Sequence, residues 1–195
     1  MEVEQAAVLE LMPDLKHLTV LDAGCGTGRY LRLCADRGAS VVGLDRSAPM
    51  LWYARDISSR IVCGGLCAVP LHSGSVDVIV CGLALGDLED LATAIGELAR
   101  VLRPGGTLIY SVVHPDGARH GWSRSFEVGG RLCAVKTYWH TEDDHRRACA
   151  AAGLDIDAWH EPSLEERPGL PVALVVRGRA HAAEPPRTPL HLVPR

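Results

Sequence analysis

Three glycines at alternate positions follow an acidic residue in the segment Val20–Arg29. An apolar run leads into Asp22, and the glycines after it are Gly24, Gly26 and Gly28. Glycine adopts backbone conformations that other residues avoid, and it lets the backbone approach a ligand closely. A second apolar run, Ser40–Asp45, also ends in an acid. Strand, glycine turn, helix, strand and acid in this order predict a βαβ unit that cradles a nucleotide.

The spacing of the glycines indicates which kind of nucleotide. A dinucleotide fingerprint requires G-x-G-x-x-G/A, and Arg29 stands where its third glycine or alanine belongs. The pattern here is D-x-G-x-G-x-G, which makes an NAD site the weaker interpretation. Asp45 follows Gly28 by seventeen residues, a position suited to gripping ribose hydroxyls. A purely structural glycine turn in an unrelated α/β protein is the alternative for the loop taken alone.

Strand and helix patterns alternate along the rest of the chain. Apolar runs predict strands at Val20–Ala23, Val41–Leu44, Arg60–Cys63, Val76–Cys81, Thr107–Val113, Leu154–Trp159 and Val172–Arg177. Helices are expected at Val3–Met12, Gly28–Arg37, Pro49–Ser58, residues 88–102 and residues 141–152. Asp87 is the expected cap of the fourth helix. Nearly continuous apolar strands are typical of a parallel sheet covered on both faces, which predicts an α/β fold.

Composition narrows the class of protein. The chain has 195 residues, enough for one domain, and a net charge of −4 that gives no electrostatic footprint for nucleic acid. Its seven cysteines form no C-x-x-C pair, so we expect reduced thiols, no metal and a cytoplasmic location. No apolar stretch is long enough to cross a membrane. Residues 1–180 are expected to form one domain, and the Pro-rich residues 181–195 a disordered tail, with a tag remnant as one interpretation of its last residues.

Four segments in order carry a specific resemblance. They are Leu21–Arg29, Val42–Asp45, Val69–Asp77 and Glu97–Gly106. The chain resembles the class I S-adenosylmethionine (SAM)-dependent methyltransferases, close to the small ubiquinone-biosynthesis and malonyl-carrier-protein methyltransferases. The resemblance implies a Rossmann-like sheet of order 3-2-1-4-5-7-6 with strand seven antiparallel. It also implies SAM as cofactor, S-adenosylhomocysteine as product and no metal.

The resemblance assigns the cofactor residues position by position. Asp22 and the three glycines would form the loop for the methionine and ribose parts of SAM, and Asp45 would hold the ribose. Pro49 and Met50 follow the second strand, where the family supplies an apolar flank to adenine, and Arg46 is a further cofactor-binding candidate. Tyr30, at the start of the first sheet-packing helix, is a candidate contact for the SAM carboxylate or the acceptor.

One position departs from the family. The family usually has Gly-Asp-Ala where this chain has Gly64-Gly65-Leu66, and the missing acid normally accepts from the adenine amino group. The backbone N–H of Leu66 would remain available to the ring. Loss of one charge-assisted hydrogen bond costs about 1.5–3 kcal/mol. We therefore expect glycine at position 65 to weaken SAM binding, unless other contacts replace the lost bond.

The acceptor side is expected after the fifth strand. His114 leaves this strand toward the pocket mouth, where it could act as a general base or be only a backbone-bonded residue. Residues 116–140 form a long insertion rich in aromatics, which is expected to cover the acceptor or to fill a minor core. His140 and Asp87 are further catalytic candidates, whereas His120 and His145 are expected to be solvated.

Three functions are compatible with these patterns. The first is methyl transfer to an oxygen, nitrogen or carbon of a small-molecule acceptor, by a monomer or homodimer without nucleic-acid or membrane partners. The second is a protein of the same fold that binds SAM without transferring methyl. The third is an RNA or protein methyltransferase, which the acidic balance disfavours.

Overall fold

The computed structural model describes residues 2–182, so the tail expected at 181–195 falls, from residue 183 onward, outside the described residues. Nine strands are present: β1 Thr19–Ala23, β2 Ser40–Asp45, β3 Ile61–Cys63, β4 Val76–Gly82, β5 Leu102–Val113, β6 Arg124–Val128, β7 Arg131–Val135, β8 Leu154–His160 and β9 Ala173–Ala180. Five α-helices accompany them: α1 Glu2–Glu10, α2 Arg29–Ala35, α3 Ala48–Ala54, α4 Leu91–Val101 and α5 Glu142–Ala151.

Seven strands form one sheet in the order β3-β2-β1-β4-β5-β9-β8. The first five run parallel, and β9 pairs antiparallel with both β5 and β8. Counted within this sheet alone, the order is 3-2-1-4-5-7-6, so the predicted Rossmann-like fold is confirmed. Two clusters of buried side chains, almost entirely aliphatic, occupy its two faces. Helices cover both faces because the central strands are apolar on each side.

The prediction that Asp87 caps α4 is wrong. The side chain that accepts the N–H of Thr93 belongs to Asp90, three residues further along. Asp87 instead ends a short 3-10 helix, Leu85–Asp87, between β4 and α4. Both residues can cap a helix, and sequence alone did not separate them because the apolar stripe of α4 already begins at Leu88. Asp87 is thereby left at the carboxyl end of β4, beside the sheet edge where ligands bind in this fold class.

The insertion after β5 forms a hairpin outside the main sheet. β6 and β7 pair antiparallel only with each other, in register from Arg124–Val135 to Val128–Arg131. A Cβ added to Gly117 would lie 2.6 Å from the ring of Trp139 and 2.7 Å from that of Trp122. These two rings therefore enclose a glycine and form a minor core beside the hairpin. None of the helices in residues 2–182 has the length and apolar character of a membrane span.

Candidate active site

A cavity of about 620 Å³ opens at the carboxyl ends of β1, β2 and β4. This size lies within the range of small-molecule sites, roughly 300–1,000 Å³. The residues that line it are Gly24, Asp45, Arg46, Ser47, Met50, Gly64, Gly65, Leu66, Cys67, Ala84, Asp87, Leu88, Val135 and Lys136. Seven of the predicted site residues are among them: Gly24, Asp45, Arg46, Met50, Gly65, Leu66 and Asp87. We call this space the cofactor cavity.

The backbone of the glycine loop, residues 24–28, turns through left-handed φ angles at its three glycines. Gly24, Gly26 and Gly28 have φ values of 74°, 55° and 97°, which side chains other than glycine rarely tolerate. A Cβ on Gly24 would lie 2.5 Å from the Cβ of Ala84, and one on Gly28 would lie 2.5 Å from Ile57 Cδ1. The N–H groups of these three glycines donate to Leu44 O, Asp45 Oδ2 and Cys25 O. The glycines therefore provide close approach, while their own N–H groups are used within the chain.

Asp45 joins the loop to the second strand. Its Oδ2 accepts the N–H of Gly26 at 2.8 Å and its Oδ1 accepts the N–H of Ser47 at 2.8 Å. Each carboxylate oxygen has a second lone pair, so the described bonds leave one acceptor site per oxygen at the cavity wall. This arrangement fits the two adjacent hydroxyls of a ribose, and it fixes the carboxylate before any ligand arrives.

Asp22 lies beneath the loop instead of on the cavity wall. Its carboxylate is 2 % exposed and accepts the N–H of Leu31, at the start of α2, with a distance of 2.7 Å. Burial raises the pKa of Asp22 to about 7, against the lowering effects of that hydrogen bond and of Arg29. The structure therefore gives Asp22 the task of joining β1 to α2, and no contact across the cavity.

Tyr30 is also placed away from the cavity. Its ring is 3 % exposed, and its hydroxyl donates to the buried carboxylate of Glu4 at 2.8 Å. The same carboxylate accepts from Ser111 Oγ at 2.6 Å and from Arg29 at 3.0 Å. We name Glu4, Arg29, Tyr30 and Ser111 the Glu4 network. Tyr30 thus serves this network, which sequence reasoning missed because α1 and β5 lie more than 90 residues apart.

The part of the cofactor cavity around Leu66 and Met50 is apolar and open. Leu66 is buried, whereas the side chain of Met50 is 48 % exposed at the rim. Gly65 has an ordinary φ, and a Cβ added to it would meet nothing within 4 Å. The space that the family's usual acid would fill is therefore empty of protein atoms. Two carboxylates, Asp45 and Asp87, line the same cavity.

The hairpin and the segment after it close the cavity from the other side. Val135 and Lys136 line the cavity, and the guanidinium of Arg124 forms an ion pair with Asp87. Arg124 also lies 3.4 Å from the carbonyl oxygen of Leu83, a residue with a left-handed φ of 60°. Such strain in a residue other than glycine is typical of functional loops. Sequence analysis missed Arg124 and Lys136, and their only signal was their position in the aromatic insertion.

A second, nearly filled pocket of about 10 Å³ lies under the hairpin. It is lined by Leu83, Gly86, Val112, Val113, Pro115, Arg124, Thr137, Tyr138, Trp139, His140 and His145. His140 reaches this pocket, but its Nε2 lies 2.7 Å from the carbonyl oxygen of Leu88 and so donates to it. We call this space the hairpin pocket. It has room for about one water molecule.

The expectation that His145 is solvated is wrong. It is 1 % exposed, stacks on Tyr110 and has its Nδ1 3.3 Å from the Tyr110 hydroxyl. Burial lowers the pKa of His145 to about 4, aided by nearby His140. The helical face of α5 that carries His145 turns inward because Ala148 and Cys149 are on it. The sequence around Thr141 predicted the helix but not its inward face.

His114 does not line either space. It is 2 % exposed, its Nε2 lies 3.0 Å from Glu161 Oε1, and its Nδ1 accepts the N–H of Asp116. Since a backbone N–H only donates, Nδ1 carries no proton and Nε2–H donates to Glu161. Both ring nitrogens are engaged, and this geometry gives no support to a general-base role. Glu142 completes a trio of ligand-type atoms within 4.8 Å, but an Nε2 that donates a proton is not available to a metal.

The donor set of the cofactor cavity fits SAM. A fixed carboxylate with free lone pairs, a close-approach glycine loop and an apolar wall suit ribose, methionine and adenine respectively. Asp45, Gly24 and Leu66 supply these three features. The fold and the cavity resemble those of the class I SAM-dependent methyltransferases, and the donor set suits their cofactor.

The comparisons with known proteins support the same class. Residues 21–110 match a family of methyltransferase domains. The malonyl-[acyl-carrier protein] O-methyltransferase of Pectobacterium atrosepticum is 38 % identical over 122 residues, which are 62 % of this chain and 48 % of the relative. The chain thus spans about half the length of the curated relatives it matches.

Solved structures match over most of the chain. A SAM-dependent methyltransferase from Mesorhizobium loti is 26 % identical with a TM-score of 0.79, covering 91 % of this chain and 97 % of that one. The [4+2]-cyclase SpnF is 20 % identical with a TM-score of 0.71, covering 91 % and 79 %. The second likeness concerns the fold alone. It shows that this architecture also occurs in a protein named for a different reaction.

Proposed function

We propose that the protein transfers a methyl group from SAM to an oxygen, nitrogen or carbon of a small-molecule acceptor and releases S-adenosylhomocysteine. The observation that carries this proposal is the cofactor cavity, with Asp45 held at its wall by two backbone N–H groups. When bound, SAM would supply a sulfonium methyl: the acceptor's lone pair attacks this carbon, the carbon–sulfur bond breaks, and S-adenosylhomocysteine leaves. An O–H or N–H acceptor also releases its proton to solvent.

The chain's own residues bind and position in this proposal. Asp45 orients the ribose, the glycine loop lets the backbone lie against the ligand, and Leu66 and Met50 flank the ring. Asp87 and Leu88, at the end of β4, form the wall toward the hairpin pocket. Holding two reactants in line accounts for a large part of such a reaction, since well-oriented groups reach effective molarities of roughly 10⁵ M or more.

Positioning is the role we propose for His114. Its bonds to Glu161 and to the Asp116 N–H tie the end of β5 to the segment before β9. The end of β5 borders the hairpin pocket through Val112, Val113 and Pro115. His114→Gln would therefore act on the acceptor's KM and leave the lower limb of the pH–rate curve in place. Loss of that limb would restore the general-base interpretation.

The name of the relatives and the net charge of the chain narrow the class of acceptor. The relatives' name specifies a malonyl group on an acyl-carrier protein, so a small acyl group, free or attached to a carrier, is one acceptor class. A cytoplasmic location and a monomer or homodimer are parts of the same proposal. No nucleic-acid acceptor is proposed, because the chain is acidic.

A protein that binds SAM without transferring methyl is the second candidate. One observation favours it: the empty space at Gly65, where an acid would hold adenine. Such a protein would bind SAM and S-adenosylhomocysteine equally well and would accumulate no product with any acceptor.

The experiment measures cofactor binding and methyl transfer separately. Calorimetry with SAM and with S-adenosylhomocysteine tests the cavity, with Asp45→Ala as the disrupted variant. An acceptor screen then follows the release of S-adenosylhomocysteine from SAM. Binding together with acceptor-dependent release supports methyl transfer. Binding without release by any acceptor class favours the second candidate, and absence of binding by the folded protein refutes both.

A further inference from the structure

The hairpin pocket has one strongly basic side chain in an otherwise apolar and aromatic surround. Val112, Tyr138 and Trp139 form part of its wall, and Arg124 is the only lysine or arginine among the described residues that line it. Burial keeps the neighbouring His145 neutral at pH 7 by lowering its pKa to about 4. A guanidinium among apolar and aromatic side chains, with Asp87 as its counter-ion, is a specific feature, because a charge in such surroundings is costly without a partner.

Arg124 uses only part of its hydrogen-bonding capacity. Its described contacts, to the Asp87 carboxylate and to the Leu83 carbonyl, all involve one terminal nitrogen. A guanidinium has five N–H donors in a planar fork, which matches a carboxylate with two parallel bonds. The contacts of Arg124 therefore leave its Nε and second terminal nitrogen for another anion.

The ion pair with Asp87 is easily exchanged. The side chains of Arg124 and Asp87 are 35 % and 39 % exposed, and ion pairs at such exposure stabilise by only about 0–1 kcal/mol. Asp87 lines the cofactor cavity, whereas Arg124 lines the hairpin pocket. The pair therefore spans the boundary between the two spaces, so a molecule held by Arg124 would lie directly beside the cofactor.

The anchoring of the hairpin shows how the pocket can open. The hairpin and the residues after it are bonded to the segment between β4 and α4. The Tyr138 N–H donates to Gly86 O at 2.8 Å, His140 donates to Leu88 O, and Arg124 pairs with Asp87. The pocket now holds about 10 Å³, far less than a small molecule requires. Entry of an acceptor therefore needs the hairpin to move, and the Arg124–Asp87 pair is the charged contact that such a movement breaks.

We propose that Arg124 recognises the acceptor by binding a carboxylate on a flat, aromatic small molecule, and that Asp87 holds the guanidinium until this carboxylate replaces it. The carboxylate is the recognised group, and another atom of the molecule accepts the methyl. The acceptor role rests on the proposed function, whereas carboxylate binding at Arg124 can be measured without any methyl transfer.

The test uses calorimetry on the full chain saturated with S-adenosylhomocysteine. The probes are benzoate, salicylate and indole-3-acetate, each compared with its own amide, which has the same shape without the charge. At least one acid should bind tenfold or more tightly than its amide, roughly the effect of one charge-assisted hydrogen bond. Arg124→Gln should abolish the preference, and Arg124→Lys, which keeps the charge but not the fork, should retain a part of it.

Asp87→Asn separates recognition from a purely mechanical latch. Recognition requires opposite effects: Arg124→Gln weakens binding of the acid, and Asp87→Asn strengthens it, because the competing carboxylate is gone. A latch would give changes in the same direction, since both variants release the hairpin. Arg131→Gln removes an exposed arginine of the same hairpin and should change nothing.

The outcomes are distinct from those of the proposed function. Equal binding of acid and amide in all three pairs, or no binding of any acid at millimolar concentration, overturns the role of Arg124. The same holds if both variants shift binding in one direction. If S-adenosylhomocysteine itself does not bind, the proposed function fails, and titration of the acids into the protein alone still tests Arg124.

Discussion

The cofactor cavity and the hairpin pocket lie on either side of the β4–α4 segment and differ in how complete they are. The first has about 620 Å³ of space with its polar groups already held in place, and the second has about 10 Å³. Backbone features build the first: left-handed glycines and two N–H groups on Asp45. Side chains from the hairpin and from α5 build the second.

This difference predicts how the cofactor and the acceptor each bind. A preformed site binds without an ordering cost, whereas a closed one uses part of the binding free energy for opening. We therefore expect the cofactor to bind to the structure as it stands. The acceptor is expected to bind only after the hairpin moves. Four predictions test this contrast, from the largest effect to the smallest.

Gly26→Val should abolish binding of S-adenosylhomocysteine, with a loss of roughly 100-fold or more from strain at a φ of 55° and from a side chain at the ligand. Calorimetry gives the affinity. Gly74→Val is the matched control, because Gly74 has a similar φ of 63° and does not belong to the glycine loop. Equal loss in both variants would show that the cavity is not preformed by the loop.

Asp45→Ala should weaken binding of S-adenosylhomocysteine by about 1.5–3 kcal/mol, because two charge-assisted bonds to ribose are lost. Asp45→Asn keeps one acceptor oxygen, so its affinity should lie between those of the unsubstituted protein and of Asp45→Ala. The measurement is the dissociation constant of each folded variant. Unchanged affinity in Asp45→Ala would remove the ribose assignment and, with it, the main polar feature of the cofactor cavity.

His145 should make the acceptor side sensitive to acid. Its pKa is about 4 in the fold against 6.5 for the ordinary group, so below pH 6.5 the unfolded chain takes up the proton first. Stability is therefore complete above pH 6.5 and falls toward pH 4, by about 2 kcal/mol between pH 7 and pH 4.5.

Urea unfolding at these two pH values checks the effect of His145. The difference in free energy of unfolding should shrink by that amount in His145→Gln and remain in His120→Gln, where an exposed histidine is replaced. An undiminished difference in His145→Gln would show that other groups cause the acid sensitivity.

Gly65→Asp should tighten SAM binding several-fold, the smallest of the four effects. The substituted position has free space around it and an ordinary φ, so the carboxylate can reach the adenine amino group without strain. An analogue that lacks this amino group should gain nothing. Equal gains for both ligands would mean that Gly65 is not at the adenine.

The sequence predicted the glycine loop and the strand before it because their signals are local. The D-x-G-x-G-x-G segment defines both the turn and the strand before it. The predicted Arg103–Gly106 turn lies within β5, where the register with β4 shifts between the Val76–Leu102 and Val78–Thr107 pairs. Short-range backbone chemistry needs no knowledge of distant partners. The sheet order came with the family resemblance, and the structure confirmed it.

Apart from the Asp87 cap, the placements that the sequence did not predict share one physical cause. Tyr30 and His145 were judged from their position on a helix, but their directions depend on partners far along the chain, Glu4 and Tyr110. Arg124 had no motif, since its role comes from a hairpin that folds back onto Asp87. Contacts of this kind arise from tertiary packing, and spacing within one segment does not encode them.

The Glu4 network has a consequence for how sequences of this kind can diverge. One buried carboxylate accepts from three side chains on two other elements, so a change at position 4 alone leaves three donors without an acceptor. Gly82 adds a further constraint, because any Cβ there would lie 2.2 Å from the Tyr30 ring. Among homologues, positions 4, 30, 82 and 111 should therefore be inherited as a set, exchanged together or not at all.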